Sequence, residues 1–241
     1  MKYFGSGLSE KHKELQRIIR QPGQLRQAKT LFFQIHAALH TALSPADTPT
    51  EVDALLGDLR REEYAIMPTS RDETIAWVLW HTARIEDLTM NWLVGQTEPV
   101  FSTAWQRRLH IAITDTGNAL SDDEIMDLSY AIDHGALLDY RKAVALRTRQ
   151  VVEQLDAHAM RRKTDPADLQ KILEAGGVTT QADSIWLLDF WGKKDVAGLL
   201  LMPATRHVML HLNDCCQWKQ IMRSKKSLYR TPPAGWLPPS P

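Results

Sequence analysis

The chain has 241 residues with 29 basic and 29 acidic side chains, so its formal net charge is zero. This length allows one large domain or two small ones, and 44% hydrophobic with 24% charged residues argues against wholesale disorder. Proteins that bind nucleic acid usually carry a concentration of positive charge, which this sequence lacks. We therefore expect a globular protein with no nucleic-acid partner.

The cysteines and the apolar segments indicate the cellular compartment of the protein. Cys215 and Cys216 are adjacent, and neighbouring cysteines rarely form a disulfide because the bond would strain the peptide between them. The N-terminal residues lack the apolar segment of a signal peptide. The most apolar stretch, 184–202, is interrupted by charged residues and is no membrane span. We expect a cytoplasmic protein without a membrane partner.

Apolar residues recur with helical spacing along most of the chain, and strand-like alternation is nearly absent. Proline, glycine and capping residues divide the pattern into helices, four of which are long enough to form a bundle. Their predicted ranges are 24–43, 70–94, 135–161 and 203–223. Shorter helices would cover the ends of the bundle. The sequence thus predicts an all-α fold, a four-helix bundle with additional short helices.

Three helix starts carry capping signals. Thr50 precedes a predicted helix at 51–63, and two Ser–Glu pairs have the spacing of a capping box. These pairs are Ser70 with Glu73 and Ser121 with Glu124.

The C-terminal residues differ in composition from the rest of the chain. Five prolines fall within 231–241, where no helical period is present. We expect one helical domain over 1–228 and an extended or disordered tail over 229–241, apart from a docking contact of Trp236.

Histidine placement is the feature that suggests chemistry. His207 and His211 are four residues apart on the last predicted helix, so both imidazoles project from one face. His81 lies beside the apolar arc of an earlier helix. Buried imidazoles are usually just hydrogen-bonded, but a metal ion would also satisfy them. Three neutral imidazoles would leave coordination positions open, which is typical of catalytic metal sites.

A second pair competes with the first. His36 and His40 have the same spacing on the first bundle helix, and spacing alone does not rank the two pairs. They would line the same cavity, hydrogen-bond to the metal ligands, contact a substrate or simply pack. The remaining histidines lie in polar settings and are expected at the surface: His12, His110, His134 and His158.

Four further side chains are weaker candidates. Glu86 falls within the apolar arc of its helix, where a carboxylate needs a cation; Arg206 would be that cation or would bind a substrate carboxylate. An exposed Glu86–Arg206 pair is the alternative. Asp214 would accept an imidazole N–H or face solvent. Cys215 follows His211 by four residues, which makes it a candidate fourth ligand. A small buried thiol is the commoner role of such a cysteine.

Six tryptophans have two interpretations. Aromatic side chains at helical spacing are usually core residues, and the alternative is an apolar substrate pocket. They are Trp77, Trp80, Trp92, Trp186, Trp191 and Trp218.

Two stretches of the chain resemble helices of the DinB/YfiT-like superfamily. The residues DETIAW at 72–77, leading to HTARIED at 81–87, are similar to the second helix of that superfamily. The residues LMPATRH at 201–207, followed by HLND at 211–214, are similar to its last bundle helix. The region 97–134 has no counterpart that we can place in the superfamily. Whether it forms a lid or a dimer contact is left open.

The resemblance implies a metal site. Members of the superfamily are four-helix bundles in which three histidines bind one divalent ion, typically zinc or nickel. Matched onto this chain, the ligands are His81, His207 and His211, so the resemblance favours this set over His36 and His40.

The resemblance also implies two classes of function. Characterised members include enzymes that join or use a low-molecular-weight thiol such as bacillithiol, mycothiol or glutathione. A zinc-type ion lowers the pKa of a thiol or of water, which suits thiol transfer or hydrolysis of a small-molecule substrate. The alternative is a non-catalytic metal-binding module of a stress response. Homodimers are common among such bundles.

Overall fold

The computed structural model describes residues 4–43, 48–224, 227–233 and 235–236. Over these residues the chain is helical, and β structure is limited to two isolated bridges. The α-helices are α1 (Leu8–Ile18), α2 (Leu25–Ala38), α3 (Glu51–Leu56), α4 (Ile75–Leu88), α5 (Thr103–Leu109), α6 (Asp122–Ala131), α7 (His134–Gln154), α8 (Pro166–Glu174), α9 (Ala182–Gly192), α10 (Val196–Leu201) and α11 (His207–Ser224). Short 3₁₀ turns lie at Pro22–Gln24, Arg61–Ala65 and Ala159–Arg161.

The helices α2, α4, α7 and α11 form the predicted four-helix bundle. α4 packs against α7 and α11, and α2 packs against α7 and the turn that precedes α11. Every residue of α4 is buried, so α4 is the central helix. The prediction of an all-α bundle with additional short helices is confirmed. Within the described residues, no helix is both long and apolar enough to cross a membrane.

Two of the bundle helices contain a π-helical segment. Thr89–Gly95 continues α4, and Met202–Arg206 leads into α11. Pro203 lies in the second segment, where its missing N–H fits a wider turn, and Thr205 Oγ1 donates to the carbonyl of Leu200 at 2.8 Å. The last bundle helix therefore changes its winding immediately before His207.

The capping predictions held at two of three helix starts. Thr50 caps α3, and Ser121 with Glu124 forms the predicted capping box of α6. The capping box at Ser70 and Glu73 is wrong, because α4 begins only at Ile75. Its cap is Thr74, whose side chain accepts from the N–H of Trp77 at 3.0 Å. Thr74 is buried and its hydroxyl also contacts that of Ser129 at 2.6 Å, so tertiary packing fixes the start of the helix.

Part of the predicted tail is placed against the domain. Met67 and Arg230 exchange two backbone hydrogen bonds of 3.1 Å, and the Trp236 ring lies 5.5 Å from that of Tyr130. The expected docking of Trp236 is thus present. Ala234 and 237–241 lie outside the described residues, where the disordered tail stays a prediction.

Candidate metal centre

Three histidines from two bundle helices converge on one point. His81 comes from the middle of α4, and His207 and His211 come from the first turns of α11. One ring nitrogen from each lies within 4.8 Å of the others. The Nε2 atoms of His81 and His207 are 3.2 Å apart. Two nitrogens bound to one tetrahedral ion at about 2.0–2.1 Å would be about 3.3 Å apart, so this spacing suits a shared ion.

A backbone carbonyl fixes the protonation of His81. Its Nδ1 lies 2.8 Å from the carbonyl oxygen of Thr116, which can only accept, so Nδ1 carries the proton. In the neutral ring, Nε2 then keeps its lone pair and faces His207. The ring also stacks on Trp77, with centroids 4.4 Å apart and planes inclined by 11°. Ligating histidines usually donate their other N–H in this way, which sets the orientation of the ring.

The hydrogen bond that His81 donates to Thr116 belongs to a larger contact between a loop and α4. Positions 77, 80, 81 and 84 occupy one face of this helix, and each donates a side-chain N–H to a carbonyl of the loop 114–117. The pairs are Arg84 with Thr114 (2.7 Å), Trp80 with Asp115 (3.1 Å), His81 with Thr116 (2.8 Å) and Trp77 with Gly117 (3.0 Å). The loop 114–117 belongs to the region 97–134, for which the resemblance gives no counterpart, and it orients His81. Sequence reasoning missed this role, because backbone carbonyls leave no signal beyond the glycine turn at Gly117.

Burial keeps the three imidazoles neutral. It lowers the pKa of His81 to about 3, with repulsion from His211 adding to the effect, and lowers the pKa of His211 to about 4. The pKa of His207 also falls well below its usual range, through burial and the two neighbouring rings. Neutral imidazole is the form that binds a metal ion, so the lone pairs are available at neutral pH.

The histidines lie at the inner wall of a cavity of about 340 Å³. The remaining lining residues are apolar or aromatic apart from one amide: Trp77, Ile85, Asn118, Trp186, Leu187, Phe190, Trp191, Met202 and Pro203. Trp186 is 49% exposed, whereas the other two tryptophans of this wall are buried. Trp80, Trp92 and Trp218 are buried core residues outside this lining. Three of the six tryptophans thus line this cavity and three do not, and a role of the first three in binding a substrate stays a prediction.

The weaker candidates on α11 do not join the three histidines. Cys215 is fully buried and is not a member of the group, and burial raises the pKa of its thiol well above the usual range. Among the described residues, nothing hydrogen-bonds the buried Nδ1 atom of His211, so Asp214 does not accept from it. Burial and the nearby Asp72 raise the pKa of Asp214.

Glu86 has histidine partners, and its expected pairing with Arg206 is wrong. Arg206 is exposed, whereas Glu86 is fully buried and faces α2. Glu86 Oε1 lies 2.8 Å from His36 Nε2, and Oε2 lies 3.2 Å from His40 Nε2. His36 and His40 do not line the cavity. The two histidine pairs therefore belong to two separate clusters, one with His81 and one with Glu86.

The expectation of surface histidines is half right. His110 and His158 are exposed. His12 is buried and donates to the carbonyl of Leu201 at 2.8 Å. His134 is partly buried and stacks on Tyr64 at 4.3 Å, and burial lowers its pKa to about 4.

Comparison with known proteins supports the fold and the family. A conserved protein from Enterococcus faecalis superposes with a TM-score of 0.54 at 14% identity, covering 83% of this chain and 97% of its own. At this identity the likeness concerns the fold alone. No curated protein matches the sequence. The family model of the DinB superfamily matches residues 46–215, a range that contains all three cavity histidines. The chain belongs to the DinB superfamily.

Proposed function

We propose that this protein is a metal-dependent enzyme that acts on a small molecule with an apolar or aromatic group. His81, His207 and His211 would hold one divalent ion, with zinc or nickel as the expected metals. The observation that carries the proposal is the convergence of three imidazole nitrogens on the wall of a cavity large enough for a small substrate.

The donor set fits such an ion. Three nitrogen ligands leave at least one position of a four-coordinate ion free, as in catalytic zinc sites. A divalent ion bound there supplies Lewis acidity, which lowers the pKa of a thiol or of water and prepares either for attack on an electrophile. The protein contributes the orientation of His81 through Thr116 and an apolar cavity wall.

The cavity wall indicates which part of a substrate it would bind. Among the residues that line the cavity, none is a lysine, an arginine or a carboxylate. An uncharged apolar or aromatic group therefore fits the interior. The ammonium of Lys194, which does not line the cavity, lies 4.2 Å from the ring centre of Phe190, which does. Lys194 would be a cation for the anionic end of a low-molecular-weight thiol, so the arrangement supports a thiol transferase as well as a hydrolase.

A non-catalytic metal-binding module is the alternative. It would be favoured by a closed shell in which a cysteine or an aspartate completes the coordination. Neither Cys215 nor Asp214 belongs to the histidine group, and the cavity reaches all three histidines. The enzyme interpretation is therefore the better supported one.

Metal content tests the site directly. Wild type and His207→Ala, purified without a nickel column, are compared by plasma mass spectrometry. We expect the variant to carry one divalent ion per chain fewer than wild type. His158→Ala, which removes an exposed histidine, is the control and should keep the wild-type content. Equal metal content in wild type and His207→Ala would contradict the proposal.

Turnover separates the enzyme from the binding module. The metal-loaded protein is tested with a chromogenic aryl ester for hydrolysis and with an aryl halide plus glutathione for thiol transfer. The enzyme interpretation expects one of these reactions in wild type and its loss in His207→Ala. A metal-loaded protein that is inactive in both assays would favour the module.

A further inference from the structure

His36, His40 and Glu86 form a second group of metal-type donors, away from the cavity. Their donor atoms lie within 4.8 Å of one another, in the core between α2 and α4. We infer that this group is a second, buried binding site for a divalent ion. The inference does not depend on the proposed function, because it uses different side chains on a different face of α4.

The three side chains are almost inaccessible to solvent. Relative exposures are 0% for His36, 2% for His40 and 0% for Glu86. Buried polar atoms normally find partners. Here, among the described residues, the Nδ1 and Nε2 atoms of His40 and the Oε2 atom of Glu86 have no properly oriented hydrogen bond. The contact between His36 and Glu86 is the one hydrogen bond of the group, so hydrogen bonding satisfies only part of it.

A metal ion between the rings and the carboxylate would partner His40 Nε2 and Glu86 Oε2 together. His36 and His40 lie one turn apart on α2, with ring centres 4.4 Å apart, and each presents Nε2 to a different oxygen of Glu86. Two nitrogens and two oxygens make four donors. The contacts of 2.8 and 3.2 Å are close to the separation of about 3 Å between neighbouring ligands bonded at about 2.0–2.2 Å. Imidazole and carboxylate together suit Zn²⁺, Fe²⁺ or Mn²⁺.

Arg141 is the charged group that faces this site from α7. Its guanidinium is buried and donates to Thr82 Oγ1 at 2.7 Å and to the carbonyl of Leu39 at 3.3 Å. These bonds, with a longer one to the carbonyl of Leu79, go to acceptors other than Glu86, so Arg141 does not occupy the carboxylate. Its positive charge nevertheless opposes a cation nearby. We therefore expect the buried site to lose its ion to a chelator at lower concentration than the three-histidine centre does.

The ion at this site would have a structural role. None of the three donors lines the cavity, so a substrate in the cavity would not reach the ion. The donors come from α2 and α4, and an ion bound to both would hold these helices together. His36 and His40 also precede residues 46–215, so the family match does not include them.

The test uses the His207→Ala variant, in which the cavity site is disabled. We expect it to retain one ion per chain, measured by plasma mass spectrometry, and to lose that ion when His40→Gln is added. After chelation, excess zinc should raise the Tm of His207→Ala by about 5 °C and leave the double variant unchanged. His12→Gln, which removes another buried histidine, is the matched control and should keep wild-type metal content.

The metal counts distinguish the two sites. Two ions in wild type and one in His207→Ala support both sites, whereas one ion in each supports the buried site alone. One ion in wild type and none in His207→Ala, with no zinc-dependent rise of Tm, overturns the second site and leaves the cavity site intact. No ion in either protein, with no response to zinc, overturns both. An ion that His207→Ala with His40→Gln retains would also overturn the second site. Should that double variant misfold, His207→Ala with Glu86→Gln replaces it, because Glu86 is a donor of the same group.

Discussion

The carbonyl oxygen of Thr116 lies 2.8 Å from Nδ1 of His81 and thereby determines which nitrogen of His81 faces the cavity. Thr116 lies in a loop, whereas His81 lies in the central helix of the bundle. The loop therefore completes the candidate site without contributing a side chain to the group of three histidines. Any change that moves the loop should alter metal binding.

Gly117→Ala tests this relationship. Gly117 has a φ of +75°, which L-residues rarely adopt, and a Cβ atom there would lie 2.8 Å from Nε1 of Trp77. We expect a stability loss of about 1–2 kcal/mol. Displacement of the Thr116 carbonyl should weaken metal binding by about 10-fold or more. Urea unfolding and competition with a chromophoric chelator measure the two effects.

Gly23→Ala is the control for this experiment. A Cβ atom at Gly23 meets nothing within 4 Å, and Gly23 lies far from the loop in the chain. Its metal affinity should equal that of wild type. An unchanged affinity in Gly117→Ala would contradict the role of the loop.

Much of the fold and the central histidine group could be predicted from the sequence. Helical spacing predicts the four bundle helices, and the pair His207 and His211 follows from their separation by one helical turn. His81 is a candidate from its place beside the apolar arc of its helix, but only the resemblance favours its set over His36 and His40, because distances along the chain are closed by the fold.

The missed features depend on tertiary packing. Glu86 pairs with His36 and His40 because of the relative rotation of α2 and α4. The hydrophobic periodicity of either helix does not predict this rotation. The start of α4 depends on the buried contact between Thr74 and Ser129, which overrides the local signal at Ser70. The carbonyl of Thr116 belongs to the backbone, so residue identity does not reveal it.

Trp186→Ala tests the apolar cavity. Trp186 lines the cavity while half of its surface is exposed, a position expected at the cavity mouth. Its removal should weaken binding of a neutral aromatic ligand such as 2-naphthol by about 5- to 10-fold, because a large apolar contact is lost. Metal content should not change. Fluorescence titration measures the affinity.

Leu210→Ala is the matched control for the apolar contact. Leu210 is 45% exposed on α11 and does not line the cavity, so the variant should bind the ligand as wild type does. Equal affinity of Trp186→Ala and wild type would show that the aromatic ligand binds elsewhere.

Asp87 holds the segment after α4 against the bundle. Its buried carboxylate accepts from the N–H groups of Val100 and Phe101 at 2.7 and 2.9 Å, and from the hydroxyl of Tyr140 at 2.7 Å. Asp87→Asn replaces an acceptor by an amide donor in a closed environment. We expect a loss of about 2–4 kcal/mol in the free energy of unfolding.

Urea unfolding measures this loss, with Asp139→Asn as the control. Asp139 is about half exposed and pairs with Arg108, so its replacement should cost less than about 1 kcal/mol. Equal effects of the two variants would contradict the role of Asp87 as a buried anchor.

The pair of Glu63 and Arg223 should make stability depend on pH. Glu63 is buried, and its carboxylate accepts two N–H bonds of 3.0 Å from Arg223 at the end of α11. These bonds, with a further one from the backbone of Arg60, lower the pKa of Glu63 from 4.5 to about 2. Its contribution to stability is therefore fully present above about pH 4.5 and is lost as the pH falls towards 2.

Glu63→Gln should therefore lower the free energy of unfolding by about 1–2 kcal/mol at pH 7, a modest value because Arg223 is partly exposed. The difference from wild type should shrink between about pH 4.5 and pH 2, since the wild-type carboxylate becomes protonated there. Urea unfolding across this range measures it, with Glu10→Gln on the exposed face of α1 as the control. If the difference were the same at pH 7 and pH 2.5, the ionic contact would not be its source. The lost stability would then come from the packing of the Glu63 side chain, a contribution that does not depend on pH.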